Sequence, residues 1–110
     1  MAYDRAIAAL ADPTRRKLYE RLRRHDHTVG ELATRLRISQ PAVSQHLRVL
    51  RIARLATNWP DGTRRYYRAS PEGLADLRRY IESLWDDMLK ASAGDDPAPP
   101  PGPAKSGRPR

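Results

Sequence analysis

The chain contains no cysteine. Without a thiol it cannot form disulfides, thiolate zinc sites or iron–sulfur clusters, and it has no cysteine nucleophile. Its longest strictly apolar run, residues 6–11, is far shorter than the roughly 18 residues that a membrane-spanning helix requires. The N-terminus also lacks the charged and then apolar pattern of a signal peptide, so we expect a cytoplasmic protein with no membrane partner.

Aromatic residues make up only 6% of the chain, and phenylalanine is absent. A core must therefore be built mainly from Leu, Ile, Val and Ala. The length of 110 residues allows one small domain. Together these facts favour a small helical fold and argue against a large enzyme cleft.

The positive charge is concentrated in the middle of the chain, whose formal net charge is +8. Residues 31–70 contain eight basic and two acidic side chains, whereas residues 71–91 contain three and five. This division predicts one surface for a polyanion and a different surface for another contact.

Six of the ten prolines lie in residues 92–110, which contain no large apolar side chain. Such a segment cannot bury enough surface to offset the entropy lost when its backbone is ordered. We therefore predict a folded domain over residues 1–91 and a disordered, proline-rich tail over residues 92–110.

Capping signals divide the folded part into helices. Asp12 and Pro13 are typical of a helix start, Thr28 and Glu31 have the spacing of a capping box, and Ser39 can cap a further helix. Only a short turn separates the last two of these helices, which predicts a helix-turn-helix. The pattern predicts helices over residues 2–10, 13–24, 28–36 and 40–52.

A β-hairpin is predicted next. Residues 56–59 and 64–68 are β-prone and flank the turn sequence Pro-Asp-Gly-Thr at residues 60–63. A last helix is predicted over residues 71–90. The expected fold is mainly α with a small β-hairpin, a winged helix-turn-helix of order α-α-α-α-β-β-α.

The fourth helix has two different sides. On a helical wheel, Val43, Leu47 and Leu50 share the side that we expect to be buried. The opposite side is small, polar and basic, so its glutamines can read adenine and its arginine can bind guanine or a phosphate. The same residue types also occur on ordinary solvated helices. The DNA contacts predicted for this helix and its cap are Ser39, Gln40, Pro41, Ser44, Gln45 and Arg48.

The hairpin carries basic and aromatic side chains. Arg64 and Arg65, with Arg68 farther along the strand, are placed to reach the DNA backbone or the minor groove. The alternative is that these charges protect an exposed edge strand. The aromatic residues of the hairpin are Trp59, Tyr66 and Tyr67. Their strand spacing is more typical of core and cross-strand packing than of base stacking.

The three histidines do not indicate catalysis. His46 falls at the border of the buried side of its helix, which predicts a packed or capping role. His25 and His27 share a loop, where a solvated turn is a simpler interpretation than a metal site. We find no spacing typical of a catalytic triad and no glycine-rich phosphate loop, so we predict neither an enzyme nor a cofactor.

The chain also contains the segments ALADPTRR, VGELA, ISQPAVSQHLRVL and GTRRYYR, which begin at residues 9, 29, 38 and 62. Together they resemble the ArsR/SmtB family of bacterial winged-helix repressors, over about residues 5–90 in order. The most specific part is SQPAVSQHL. The resemblance implies a homodimer, joined through the first and last helices, that binds a palindromic DNA operator and represses transcription.

Apolar residues in the last helix recur every three or four positions, which is typical of a seam between two helices. The alternative is that this helix folds back onto its own subunit. In line with the resemblance, we predict a dimer contact formed by Ile7, Leu10, Leu74, Leu77, Ile81, Leu84, Trp85 and Met88.

The sequence departs from the metal-sensing members of that family. The two positions of their Cys-x-Cys pair are Thr28 and Gly30 here, and the last helix has carboxylates but no histidine. We therefore predict no metal site, and the sequence indicates no effector ligand. Two alternatives remain open: a metal-responsive repressor that uses His25 and His27, and a winged helix that binds an acidic protein.

Overall fold

A computed structural model describes residues 1–94, which form five helices and one three-stranded antiparallel sheet. They belong to two compact units, Met1–Arg79 and a second unit that begins at Tyr80. The elements in chain order are α1 Ala2–Ala11, α2 Pro13–Arg24, β1 His27–Thr28, α3 Val29–Leu36, α4 Gln40–Ile52, β2 Ala56–Asp61, β3 Arg64–Ala69 and α5 Pro71–Gly94. The predicted winged helix-turn-helix is confirmed, with one additional short strand.

The core of the first unit is aliphatic, as the low aromatic content predicts. Its largest fully buried side chains come from α2, α3 and α4 and from the segment that follows α4. They are Leu18, Leu32, Val43, Leu47, Leu50 and Leu55. Because every one of these side chains is apolar, burial of hydrocarbon surface holds the three helices together.

Side-chain caps begin the helices where the sequence predicts them. Asp12 Oδ1 accepts hydrogen bonds from the backbone N–H groups of Thr14 and Arg15, at 2.8 and 3.1 Å. Thr28 and Glu31 bond each other's backbone N–H groups in a capping box, at 3.2 and 3.0 Å. These bonds satisfy donors that have no partner inside their helix.

The turn between α3 and α4 depends on one left-handed residue. Arg37 has φ 58° and ψ 44°, and the backbone N–H of Ile38 donates to the carbonyl of Ala33 at 3.2 Å. Ser39 then caps α4 through a bond from the N–H of Ala42, at 3.2 Å. This turn fixes where α4 begins and so sets which residues occupy its first exposed turn.

The sheet has the strand order β1-β3-β2. The hairpin of β2 and β3 turns at Gly62, whose φ of 67° lies in the left-handed region that glycine adopts without strain. Strand β1 is not predicted from the sequence, which assigns His25 and His27 to a loop. His27 and Thr28 pair with Tyr67 and Tyr66. A strand of two residues shows no alternation in the sequence, so only its distant partner defines it.

Two helix ends differ from the prediction. Helix α1 ends at Ala11 rather than at residue 10, and α5 continues to Gly94. Helix α5 therefore includes residues 92–94 of the predicted tail, which contain no proline and include alanine, a strong helix former. The remainder of the predicted tail, residues 95–110, lies outside the described residues. Within residues 1–94, no helix combines the length and the apolar composition that a membrane span requires.

The first turn of α5 is bound to the segment that follows α4. The N–H of Gly73 donates to the carbonyl of Arg54 at 2.7 Å, and the N–H of Ser70 donates to the carbonyl of Leu55 at 2.9 Å. A Cβ atom on Gly73 would lie 2.2 Å from the carbonyl oxygen of Ala53. The close approach of two backbones therefore requires glycine at position 73.

Replacing Gly73 with alanine should destabilise the protein by about 1 to 3 kcal/mol, because the added methyl group meets backbone that must shift. Gly30→Ala is the matched control, since a Cβ there comes no closer than 3.7 Å to another residue. It should be neutral or stabilising by up to about 1 kcal/mol in helix α3. Urea unfolding measures both changes, and equal losses in the two variants would contradict the proposed close approach.

Candidate nucleic-acid interface

The two sides of α4 differ as the helical wheel predicts. Val43, Leu47 and Leu50 have no exposed surface. The opposite side and its cap are exposed at every position that the sequence assigns to DNA: Ser39, Gln40, Pro41, Ser44, Gln45 and Arg48. Anchoring of the apolar side leaves a continuous polar surface free for a partner.

The charge on this surface is available. Arg48 forms no ion pair with any residue in the described part of the chain. The N-terminus of α4 also carries the positive end of the helix dipole. Pro41 lies in the first turn, where a missing N–H costs no helical hydrogen bond. An anion that approaches α4 from its exposed side therefore meets no competing carboxylate on the helix.

A cleft brings α4 together with the hairpin. It lies between the start of α3, the first residue of α4 and the tip of the hairpin, and Gln40 shares its wall with Arg64 and Arg65. These residues are more than twenty positions apart in the sequence. The full lining is Thr28, Val29, Gly30, Glu31, Gln40, Thr63, Arg64 and Arg65. The structure thus joins two groups of residues that the sequence assigns to DNA separately.

The cleft also contains one negative charge. The hydrogen bond from the backbone N–H of Thr28, with the nearby charge of Arg64 as a smaller cause, lowers the pKa of Glu31. The carboxylate is therefore ionised at neutral pH. It reduces the positive potential at the cleft.

The arginines of the hairpin have different surroundings. Arg64 and Arg65 are both exposed, and Arg65 donates a hydrogen bond to the side-chain oxygen of Asn58 at 2.9 Å. Arg68 instead donates twice to Asp26, at 3.2 and 3.1 Å. These bonds lower the pKa of the Asp26 carboxyl. The sequence groups Arg68 with the two other arginines, but its guanidinium already has an anionic partner within the same chain.

Aromatic packing holds the hairpin in one shape. Trp59 and Tyr66 lie directly opposite each other and stack with ring centroids 6.2 Å apart and an angle of 21° between the planes. The guanidinium of Arg68 lies 4.6 Å from the centre of the Trp59 ring. Tyr67 packs against the core. The prediction of cross-strand and core packing for these aromatic residues is confirmed.

The three histidines have different surroundings. His25 is exposed, as predicted, but the prediction of a solvated turn is wrong for His27, which is only 5% exposed because it pairs with β3. Burial lowers the pKa of His27, although Glu31, 3.5 Å from its Nδ1, opposes that shift. His46 is half-buried, with its Nδ1 3.4 Å from a guanidinium nitrogen of Arg15.

Arg15 and Arg16 bind the end of α1, a role that is not predicted from the sequence. Both donate to carbonyl groups at the end of α1: Arg15 to Ala8 and Ala9, and Arg16 to Leu10 and Ala11. The sequence contains a signal for this role. Where a helix ends beside Asp-Pro, arginines in the first turn of the next helix lie near the unpaired carbonyl groups of the helix that ends.

The candidate metal ligands do not form a cluster. Among residues 1–94, no three histidine or carboxylate side chains are grouped so that they could hold an ion. Asp76, one of the carboxylates of the last helix, is 92% buried and forms ion pairs with Arg54, at 2.9 Å, and with Arg79. Thr28 caps α3.

Comparisons with known proteins find similarity over the elements that form this interface. Residues 12–58 match the family model of the bacterial regulatory proteins called the arsR family. The HTH-type transcriptional regulator Rv2034 of Mycobacterium tuberculosis is 50% identical, over 84% of this chain and 92% of that relative. The transcriptional repressor SdpR of Bacillus subtilis is 37% identical, over 62% and 76%. An ArsR-like transcriptional regulator from Rhodococcus sp. RHA1, a solved structure, has a TM-score of 0.72 at 33% identity, over 82% and 88%.

Protonation of His27 should destabilise the fold. Because burial holds its pKa below the ordinary 6.5 in the folded protein, the unfolded chain takes up a proton first as the pH falls below that value. Urea unfolding should therefore show a loss of stability between about pH 7.5 and 5.5 that is smaller in His27→Gln. An identical pH dependence in His27→Gln and in the wild-type protein would contradict the assignment.

Proposed function

The chain belongs to the arsR family of bacterial regulatory proteins and is a DNA-binding transcriptional regulator, and from this premise we propose that two copies bind one palindromic operator and repress transcription. Family membership favours DNA over the acidic protein partner that the sequence left open. We further propose that the protein acts in the cytoplasm, where bacterial DNA lies.

The observation that carries the proposal is the shared cleft of Gln40, Arg64 and Arg65, which continues into the exposed side of α4. A helix that reads base edges and a hairpin that holds the backbone must address one DNA duplex together. Side chains from α4 and from the hairpin line the same cleft, so a single duplex can contact both elements.

Each residue type suits a distinct contact. Gln40 and Gln45 have the paired donor and acceptor that adenine presents in the major groove, and Arg48 can bind guanine or a phosphate. Pro41 and Ser44 are small and allow close approach of the helix. Arg64 and Arg65 suit the neighbouring backbone or the minor groove.

The dimer is supported by apolar side chains that remain exposed in the isolated chain. Ile7 of α1 is 42% exposed, and Leu74 at the start of α5 is also 42% exposed. Leu10 and Leu77, by contrast, pack partly against the core of their own subunit and contribute less to a second copy. In the second unit, the exposed apolar residues of α5 are Ile81, Leu84, Trp85, Met88 and Leu89. We propose that α1 and α5 of two subunits associate and cover them.

Repression follows from where such a dimer sits. A two-fold symmetric dimer places its two α4 helices in half-sites about one helical turn apart. A protein held on DNA across that length blocks other proteins from the same surface. The name of the relative SdpR, a transcriptional repressor, supports this direction of regulation.

Binding to selected DNA tests the proposal. An operator is obtained by selecting from a random duplex library, and its affinity is compared with that of a scrambled duplex at physiological salt. We expect an inverted repeat and a preference of at least about 1,000-fold. Equal affinity for the two duplexes would exclude sequence-specific regulation by this chain.

Arg48→Ala should lower operator affinity by about 1 to 3 kcal/mol and reduce the preference at one base pair, because a base contact is lost. The matched control Arg64→Ala removes the same charge from the hairpin. It should weaken all duplexes alike and reduce the slope of log affinity against log salt by about 0.9. Fluorescence anisotropy over a salt series distinguishes them, and a uniform loss in Arg48→Ala would mean that Arg48 does not read a base.

Leu84→Glu should weaken dimerisation strongly, since it places a charge among the apolar residues of α5. Ser83→Glu is the control, because it adds the same side chain at the neighbouring exposed position, where the hydroxyl bonds the carbonyl of Tyr80. Sedimentation equilibrium should show monomers for Leu84→Glu and dimers for Ser83→Glu. Dimers of equal strength in both variants would place the interface elsewhere.

A further inference from the structure

Arg15 connects three elements through one side chain. Its Nε donates to the carbonyl of Ala9 at 2.9 Å and a terminal nitrogen donates to the carbonyl of Ala8 at 3.3 Å, both at the end of α1. Its other terminal nitrogen lies 3.4 Å from Nδ1 of His46 on α4. The Arg15 side chain is only 19% exposed, and its contacts with Ala9 and His46 are partly shielded from water, whereas its bond to Ala8 is exposed.

The bond to α1 is strong for a physical reason. Ala8 and Ala9 lie in the last turn of their helix, where carbonyl groups have no N–H partner four residues ahead. The C-terminus of a helix also carries partial negative charge, which attracts a guanidinium. Ala9 is completely buried, so water cannot donate a hydrogen bond to its carbonyl group. The bond from Arg15 satisfies this acceptor.

Asp12 holds the guanidinium in this orientation. Its Oδ2 lies 3.9 Å from the nitrogen that faces His46, while its Oδ1 caps α2. The hydrogen bond from the backbone N–H of Arg15 is the largest cause of the lowered pKa of Asp12. Asp12 is therefore ionised and fixed at the corner between α1 and α2.

The contact to α4 lies next to the proposed DNA surface. His46 is half-buried and follows Gln45, one of the exposed glutamines. A neutral imidazole that carries its proton on Nε2 can accept a hydrogen bond at Nδ1 from Arg15. A shift of Arg15 relative to α1 therefore weakens or breaks this contact with the middle of α4.

We propose that Arg15 is a positioning residue that couples α1 to α4, so that recognition of the operator depends on association of the subunits. This inference rests on the proposed function, because it takes α1 as part of the dimer contact and α4 as the helix that reads DNA. The planar guanidinium suits this role, since it bonds in two directions at once, which a lysine ammonium on a flexible stem cannot reproduce. Coupling is reciprocal, so the operator should also strengthen the dimer.

A neighbouring residue provides the matched control. Arg16 donates to the carbonyls of Leu10 and Ala11, at 2.7 and 3.3 Å, and so binds the same end of α1, but its described bonds do not reach α4. Arg15→Lys and Arg16→Lys each keep the charge and each disturb α1. Only Arg15→Lys also breaks the contact with α4.

The test measures the ratio of operator affinity to scrambled-duplex affinity, with the dimer dissociation constant in the presence and absence of operator. We expect Arg15→Lys to reduce both the ratio and the effect of operator on dimerisation by about 2- to 30-fold, with Arg16→Lys close to wild type. Equal behaviour of the two lysine variants would overturn the coupling.

A second variant covers the case in which Arg15→Lys fails to fold. His46→Ala breaks the same contact from the α4 side and leaves the bonds to α1 in place. A reduced ratio in this variant supports the coupling, and an unchanged ratio overturns it. The proposed function is refuted if the wild-type protein shows no preference for its selected operator or stays monomeric. The coupling alone is refuted if the wild-type protein dimerises and prefers its operator but the variants keep the wild-type affinity ratio.

Discussion

Burial of one side of α4 is the constraint on which the rest depends. Val43, Leu47 and Leu50 are completely removed from water, and they pack in a core shared with Leu18 and Leu32. Rotation of the helix would expose these side chains at a cost of about 1.5 to 3 kcal/mol each. The polar side of α4 is therefore held outward by the core behind it, before any contact with DNA forms.

The second constraint is the shape of the hairpin. Its strands are held by the stacked rings of Trp59 and Tyr66, and Arg68 ties β3 to Asp26 in the loop before β1. One arginine is thus used to hold the hairpin, while Arg64 at its tip remains exposed. A hairpin held in this way reaches a partner with less conformational entropy to lose than a flexible loop.

The local parts of this structure could be predicted from the sequence. The caps at Asp12, Thr28 and Ser39 and the two sides of α4 follow from spacings of a few residues, and each is observed. The resemblance to a known family also carried the fold and the general function. Near neighbours in sequence are near neighbours in a helix, which makes such patterns reliable.

Most of the features that were missed join distant residues. Strand β1 exists because of β3, and the burial of His27 follows from that pairing. Arg68 meets Asp26 across 42 positions, and Arg15 meets His46 across 31. No local pattern predicts these two long-range contacts, since only the packed fold brings the partners together.

The central claim is that the two α4 helices of one dimer lie in the major groove. Chemical protection of DNA tests this claim most directly. Dimethyl sulfate methylates guanine N7 in that groove, and the selected operator is probed with and without protein. The account predicts two protected clusters related by a dyad and about 10 base pairs apart. A bound operator with no protected guanine in either half-site, or with a single cluster, would contradict it.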